Sequence, residues 1–132
     1  MIRDENTQIN YSDIDVEISE LCMAINRIAH FQTVESCFGH SAFGDGTKED
    51  IMIWIDVDNI RALNRFLHAF SCTYGKICTH YTADWRLEIY NDKQNSIDDL
   101  LHLLLRGKKT VDVLDCKSLA KAINYYADDC LT

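Results

Sequence analysis

Between Asp50 and Asp58 the chain reads Ile51-Met52-Ile53-Trp54-Ile55-Asp56-Val57, an apolar residue at every odd position. Side chains that alternate between two faces satisfy this pattern and a helical stripe does not, so the stretch predicts a strand with one thoroughly apolar face. Such a face needs a cover, and amphipathic helices flank it. Ser12 precedes Ile14, Ile18, Leu21, Ile25 and Ile28, spaced at three and four. This predicts a helix from 13 to about 29, capped by Ser12. Ile60, Leu63, Leu67 and Phe70, widened by Phe66, predict a second helix, capped by Asp58 and running to about Ser71.

Three further runs are β-prone: Phe31 to Ser36, Lys76 to Thr82, and Trp85 to Tyr90, the last two separated by Ala83-Asp84 as in a hairpin. Ser96 then precedes IDDLLHLLLRG. With Asp98 and Asp99 at its start and Arg106-Gly107 at its end, that segment predicts a third helix over 97–107. Val111, Leu114, Leu119, Ile123 and Ala127 predict a last helix from about Thr110 to Cys130, with Asp115 as a candidate break. The expected fold class is α+β, in the order α-β-β-α-β-β-α-α, with a small mixed or antiparallel sheet and the helices packed on one face.

Length suits one domain over 1–132, with 1–11 expected as a flexible N-terminal extension. The formal charge of −8, from 21 acidic and 13 basic residues, repels phosphate backbones and anionic membranes, so neither is an expected partner. No apolar run approaches a membrane span, and Met1-Ile2-Arg3-Asp4-Glu5-Asn6 lacks a signal-peptide core, which leads us to expect a cytoplasmic protein. Cys22, Cys37, Cys72, Cys78, Cys116 and Cys130 follow no regular spacing and are expected as free thiols. The usual zinc, dinucleotide and P-loop motifs are absent.

Strand alternation directs Ile51, Ile53, Ile55, Trp85, Leu87 and Ile89 to one face and Trp54, Asp56, Arg86, Glu88 and Tyr90 to the other. Aromatic planes beside a few charged groups on rigid strands suit a ligand site. A subunit interface anchored by Trp54 and Tyr90, or plain solvent exposure, are the competing readings. In the loop Ser36-Cys37-Phe38-Gly39-His40-Ser41, glycine lets backbone amides converge on an anion and His40 adds a proton donor. His80, on the strand before Arg86 and Glu88, is a further candidate. A Cys37–His40 nucleophile would lack an orienting third group, and a metal held by Cys37, His40, Asp45 and His80 would lack a recognisable spacing. No metal is expected. His30, His68 and His102 are assigned to helices or their ends, with structural roles.

Ile25-Asn26, then Phe31, Thr33, Ser36, Cys37 and Gly39, then the segment IMIWIDVDNIRALNRFLHAF and WRLEIYND, occur in one order across residues 13 to 91. In this ordered set the chain resembles the tRNA wybutosine-synthesis "protein three" methyltransferase type. The resemblance implies a pocket beside the Ser36-Cys37-x-Gly39 loop for S-adenosylmethionine and a modified guanosine of tRNA. His40 stands where that family has an arginine.

Two functions follow as expectations. The first is binding and sequestration of a small nucleotide-like ligand without a cofactor, the role of phage-encoded antagonists of nucleotide immune signalling. Its expected contacts are Ser36, Cys37, Gly39, His40, Trp54, His80, Arg86, Glu88 and Tyr90. The alternative is an S-adenosylmethionine-dependent methyltransferase acting on tRNA. No catalytic residue is assigned, and a homo-oligomer is a further partner reading.

Overall fold

The computed structural model describes residues 2, 14–40, 46–70, 85–90 and 101–131. Within them four strands, β1 (Phe31–Cys37), β2 (Ile51–Val57), β3 (Trp85–Tyr90) and β4 (Leu101–Gly107), form one antiparallel sheet in the order β1-β2-β4-β3. Three helices accompany it: α1 (Ser19–Asn26), entered through a 3-10 turn at Val16–Ile18, α2 (Ile60–Ala69) and α3 (Val113–Cys130). The α+β class and the antiparallel sheet are as expected. None of these helices is long and apolar enough to cross a membrane.

The largest departure from the sequence reading is β4. The segment predicted as a helix over 97–107 forms, from Leu101 on, an interior strand paired with β2 on one side and β3 on the other. Its leucines explain both readings. A run of consecutive leucines bounded by cap-like residues fits a helix, but an interior strand can bury apolar side chains on both faces and produces the same run. Leu103 and Leu105 enter the helix-side core, while Leu104, also fully buried, points to the opposite face. The predicted strand Lys76 to Thr82 and its hairpin lie outside the described residues, as do Ser12 and the 1–11 extension apart from Ile2.

The helix boundaries are also corrected. Ile14 and Asp15 of the expected span precede the first helical turn, Val16–Ile18, and α1 ends at Asn26 rather than near 29. The N-cap of α2 is Asn59, not Asp58; its side chain accepts the Ala62 N–H at 3.0 Å. Asp58 instead pairs with His30 at 2.7 Å. The last helix starts at Val113 and runs unbroken through Asp115, which belongs to its N-terminus. Asp112 accepts the Asp115 N–H at 2.8 Å and Asp115 accepts the Asp112 N–H at 3.2 Å, a capping box.

One face of the sheet carries the core. Ile51, Ile53, Ile55 and Val57 of β2 pack with Trp85 and Leu87 of β3, Leu103 and Leu105 of β4, and the buried sides of the helices. Phe66 of α2 meets Phe31 of β1 at 5.3 Å between ring centroids and Tyr126 of α3 at 5.9 Å. Gly107 leaves room for the Trp85 indole across the pair: a Cβ there would come within 2.9 Å of Trp85 Cζ3. Asn26, 2% exposed, fastens α1 to β1 by donating to Thr33 Oγ1 and accepting the Thr33 N–H, both at 2.8 Å.

Strand β1 contains a bulge. Thr33 pairs with Ile55 but Glu35 pairs with Trp54, so Val34 is the extra residue. Unbroken alternation from Phe31 would send Glu35 and Cys37 into the core. The bulge reverses the phase, placing Ser36 on the helix side opposite Ile53 and Glu35 and Cys37 on the other face.

Candidate functional site

The face turned away from the helices is built in three rows. Gln32, Asp56, His102 and Tyr90 form one; Glu35, Trp54, Leu104 and Glu88 the next; Cys37, Met52, Arg106 and Arg86 the third. Trp54, Asp56, Arg86, Glu88 and Tyr90 therefore share the face that their alternation predicts. Ile89 is on the helix side as expected, yet 55% exposed.

Polar groups link the rows. Tyr90 donates its hydroxyl to Glu88 Oε2 at 2.6 Å, and Arg106 Nε donates to Glu88 Oε1 at 3.2 Å. A second arm of the Arg106 guanidinium reaches Met52 Sδ at 3.7 Å and Asp50 at 3.7 Å. The Tyr90 hydroxyl, joined by Arg106 and Arg86 and only partly opposed by burial, holds Glu88 below the usual carboxylate range, and the same bond to Glu88 raises the Tyr90 phenol. His102 Nδ1 lies 2.7 Å from Asp56 Oδ1. The rings of Trp54 and Tyr90 meet at 5.3 Å, tilted by 56°.

Arg86 stands directly opposite Arg106. Arg106 is tied to Glu88 and Asp50, whereas Arg86 is exposed and has no hydrogen-bond or ion-pair partner among the described residues. Like charges facing each other across a strand pair repel, and an anion between or above them relieves that repulsion.

His102, Leu104 and Arg106 were missed as members of this face because their segment reads as a helix. The signal that could have found them is the alternation of Leu101, Leu103, Leu105 and Gly107 with His102, Leu104 and Arg106, which matches the pattern of β2.

The loop residues do not form one cluster with this face. Ser36 points to the helix layer, where its hydroxyl hydrogen-bonds the Cys22 thiol; burial nonetheless pushes Cys22 up to about 11. Cys37 is on the open face beside Met52, and its sulfur accepts the Gly39 N–H at 3.3 Å. The Phe38 N–H is given to Asp15 at 2.8 Å, so an internal carboxylate takes the loop amide expected to serve an anion. His40 Nε2 is 3.8 Å from both Asp15 and Glu17. Among the described residues, these three have donor atoms close enough together, within 4.8 Å, to hold a metal ion. Gly39 is required by geometry: its φ is +89°, and a Cβ would lie 2.1 Å from the Glu49 carbonyl oxygen. His80 lies outside the described residues.

No protein-family model matches the chain, and no curated protein or solved structure matches it either. What the structure defines is an α+β domain with a four-stranded antiparallel sheet, helices on one face and a polar, aromatic surface on the other.

Proposed function

We propose that the chain binds a small nucleotide-like ligand on this open face and functions by sequestering it. The observation that carries the reading is the aromatic pair Trp54–Tyr90 on the same face as the exposed Arg86, which has no hydrogen-bond or ion-pair partner among the described residues. Arg86 and Arg106 lie two residues along their strands from the Glu88–Leu104–Trp54 row, roughly 7 Å. A flat base packed on Trp54 or Tyr90 can extend a phosphate toward the guanidinium end across such a span. Glu88, kept ionised by Tyr90 and Arg106, supplies an acceptor for base or ribose donors between the two ends. Cys37 borders the same row as the arginines. Ser36 supports the strand from the helix side, and Gly39 sets the loop that presents His40.

A thermal-shift panel tests this, comparing mononucleotides, cyclic di- and trinucleotides, ADP-ribose-type molecules, S-adenosylmethionine and its demethylated product. A ligand at about 100 times its dissociation constant adds roughly 2.7 kcal/mol, a rise of several degrees for a domain of this size. The expected result is a shift with one nucleotide class that Trp54→Ala and Arg86→Ala both abolish. A shift with S-adenosylmethionine only turns the reading to the methyltransferase and its tRNA substrate. A silent panel with a dimer in light scattering turns it to a subunit interface.

A further inference from the structure

We propose a second ligand site, in the groove between α2 and α3, that takes a phosphate-bearing small molecule. The groove is shallow and open to solvent, with a volume of about 750 Å³, within the usual range for small-molecule sites. Arg61, Asn64, Arg65 and His68 of α2 line one wall, and Tyr126 and Cys130 of α3 the other. Among the described residues, no Asp or Glu contributes to the lining, although the chain has 21 of them. The neighbouring Asp128 of α3 is engaged by Arg27 of α1.

The two arginines are not placed for the benefit of the helix. Arg61 and Arg65 are one turn apart on the same side, where like charges repel, and neither has a hydrogen-bond or ion-pair partner among the described residues. Arg61 also lies in the first turn of α2, the end at which the helix dipole disfavours a cation, and no acidic residue accompanies it there. A carboxylate of the chain's own could have relieved both conflicts. Their persistence in an acidic protein, around a concave surface that focuses their field, fits an external anion. Two guanidinium forks and the amide of Asn64 match the several acceptor oxygens of a phosphate, with His68 one turn beyond Arg65 as a further donor. Tyr126 makes the α3 wall rigid, since its ring packs edge-on against Phe66 and Phe70 at 5.9 and 5.6 Å.

The site stands apart from the open sheet face, and the two are separable by experiment. Nitrogen-15 NMR of the full chain is followed while inorganic phosphate, then adenosine monophosphate, is added at ionic strength held constant with sodium chloride. Saturable shifts centred on Arg61, Arg65, His68 and Tyr126 are expected. They should weaken at least tenfold in affinity in the double variant R61Q/R65Q, whose substitutions are both on the surface, and persist in Trp54→Ala. Shifts that rise linearly without saturation, or saturable shifts in the groove that survive R61Q/R65Q with its spectrum otherwise intact, overturn the proposal. Binding confined to residues around Trp54 and Arg86 overturns it too, while leaving the open-face reading in place.

Discussion

Trp54 and Tyr90 are in ring contact at 5.3 Å although their strands, β2 and β3, are not neighbours. The strand between them is β4, and the residue of β4 paired with Trp54 is Leu104, which is fully buried on this face. The aromatic pair therefore spans an apolar side chain in the middle of an otherwise polar surface.

That contact predicts an energetic coupling. In a double-mutant cycle of Trp54→Ala and Tyr90→Ala, measured by urea unfolding, the interaction between the two sites should be about 0.5–1.5 kcal/mol. Additive effects of the two substitutions would mean that the rings are neighbours without cohesion.

The Tyr90–Glu88 bond predicts a pH signature. Because Glu88 stabilises the protonated phenol, Tyr90 should titrate above the ordinary tyrosine value of 10.0, and Glu88→Gln should bring it down. The sign for stability follows: the contribution is complete below the unfolded tyrosine value and is lost as pH rises through the folded one. On the acid side, the lowered Glu88 pKa contributes stability above the usual carboxylate value that disappears as pH falls through the folded value. Ultraviolet titration of the wild type against Tyr90→Phe isolates the phenol. An identical alkaline curve for wild type and Glu88→Gln would refute the assignment.

The cysteines should divide by reactivity. Burial raises Cys22 to about 11 and Cys116 to about 12, so at pH 8 both remain thiols inside the core. Cys130 is exposed and Cys37 half-buried. Iodoacetamide treatment of the folded protein, read by peptide mass mapping, should label Cys130 and Cys37 well before Cys22 and Cys116. Above the ordinary thiol value of 9.0, ionisation of Cys22 and Cys116 in the unfolded chain should lower stability progressively toward their folded values.

Two left-handed glycines should respond differently to a methyl group. Gly46 has φ +80° with no atom within 4 Å of its Cβ position, so Gly46→Ala should cost about 1 kcal/mol of backbone strain. Gly39 carries the same strain and also a collision with the Glu49 backbone. Gly39→Ala should cost at least about 2 kcal/mol more, visible as a lower melting temperature. Equal losses would show that the Gly39 turn opens freely.

Much of this arrangement is legible in the sequence, and the failures have physical causes. The period-two pattern of Ile51–Val57 is unambiguous because one face is apolar and the other mixed. Trp85 to Tyr90 is readable for the same reason, and together these strands place Trp54, Arg86, Glu88 and Tyr90 on one surface. The interior strand β4 hides its alternation under leucines on both faces, which removes His102, Leu104 and Arg106 from view. The separation of Ser36 from Cys37 depends on a bulge, and nothing local in FQTVESC announces an extra residue. The α2 groove depends on packing against α3, which the two helix patterns do not specify individually.

The bulge at Val34 also sets how β1 tolerates changes in length. Removing one residue from a regular strand turns every side chain on one side of the cut to the wrong face. Val34 is exempt, because Thr33, Glu35, Ser36 and Cys37 already occupy the faces that a strand without it would give them. In β1, a one-residue deletion at this exposed position is the gentle change, and the same deletion at Gln32 is the ruinous one.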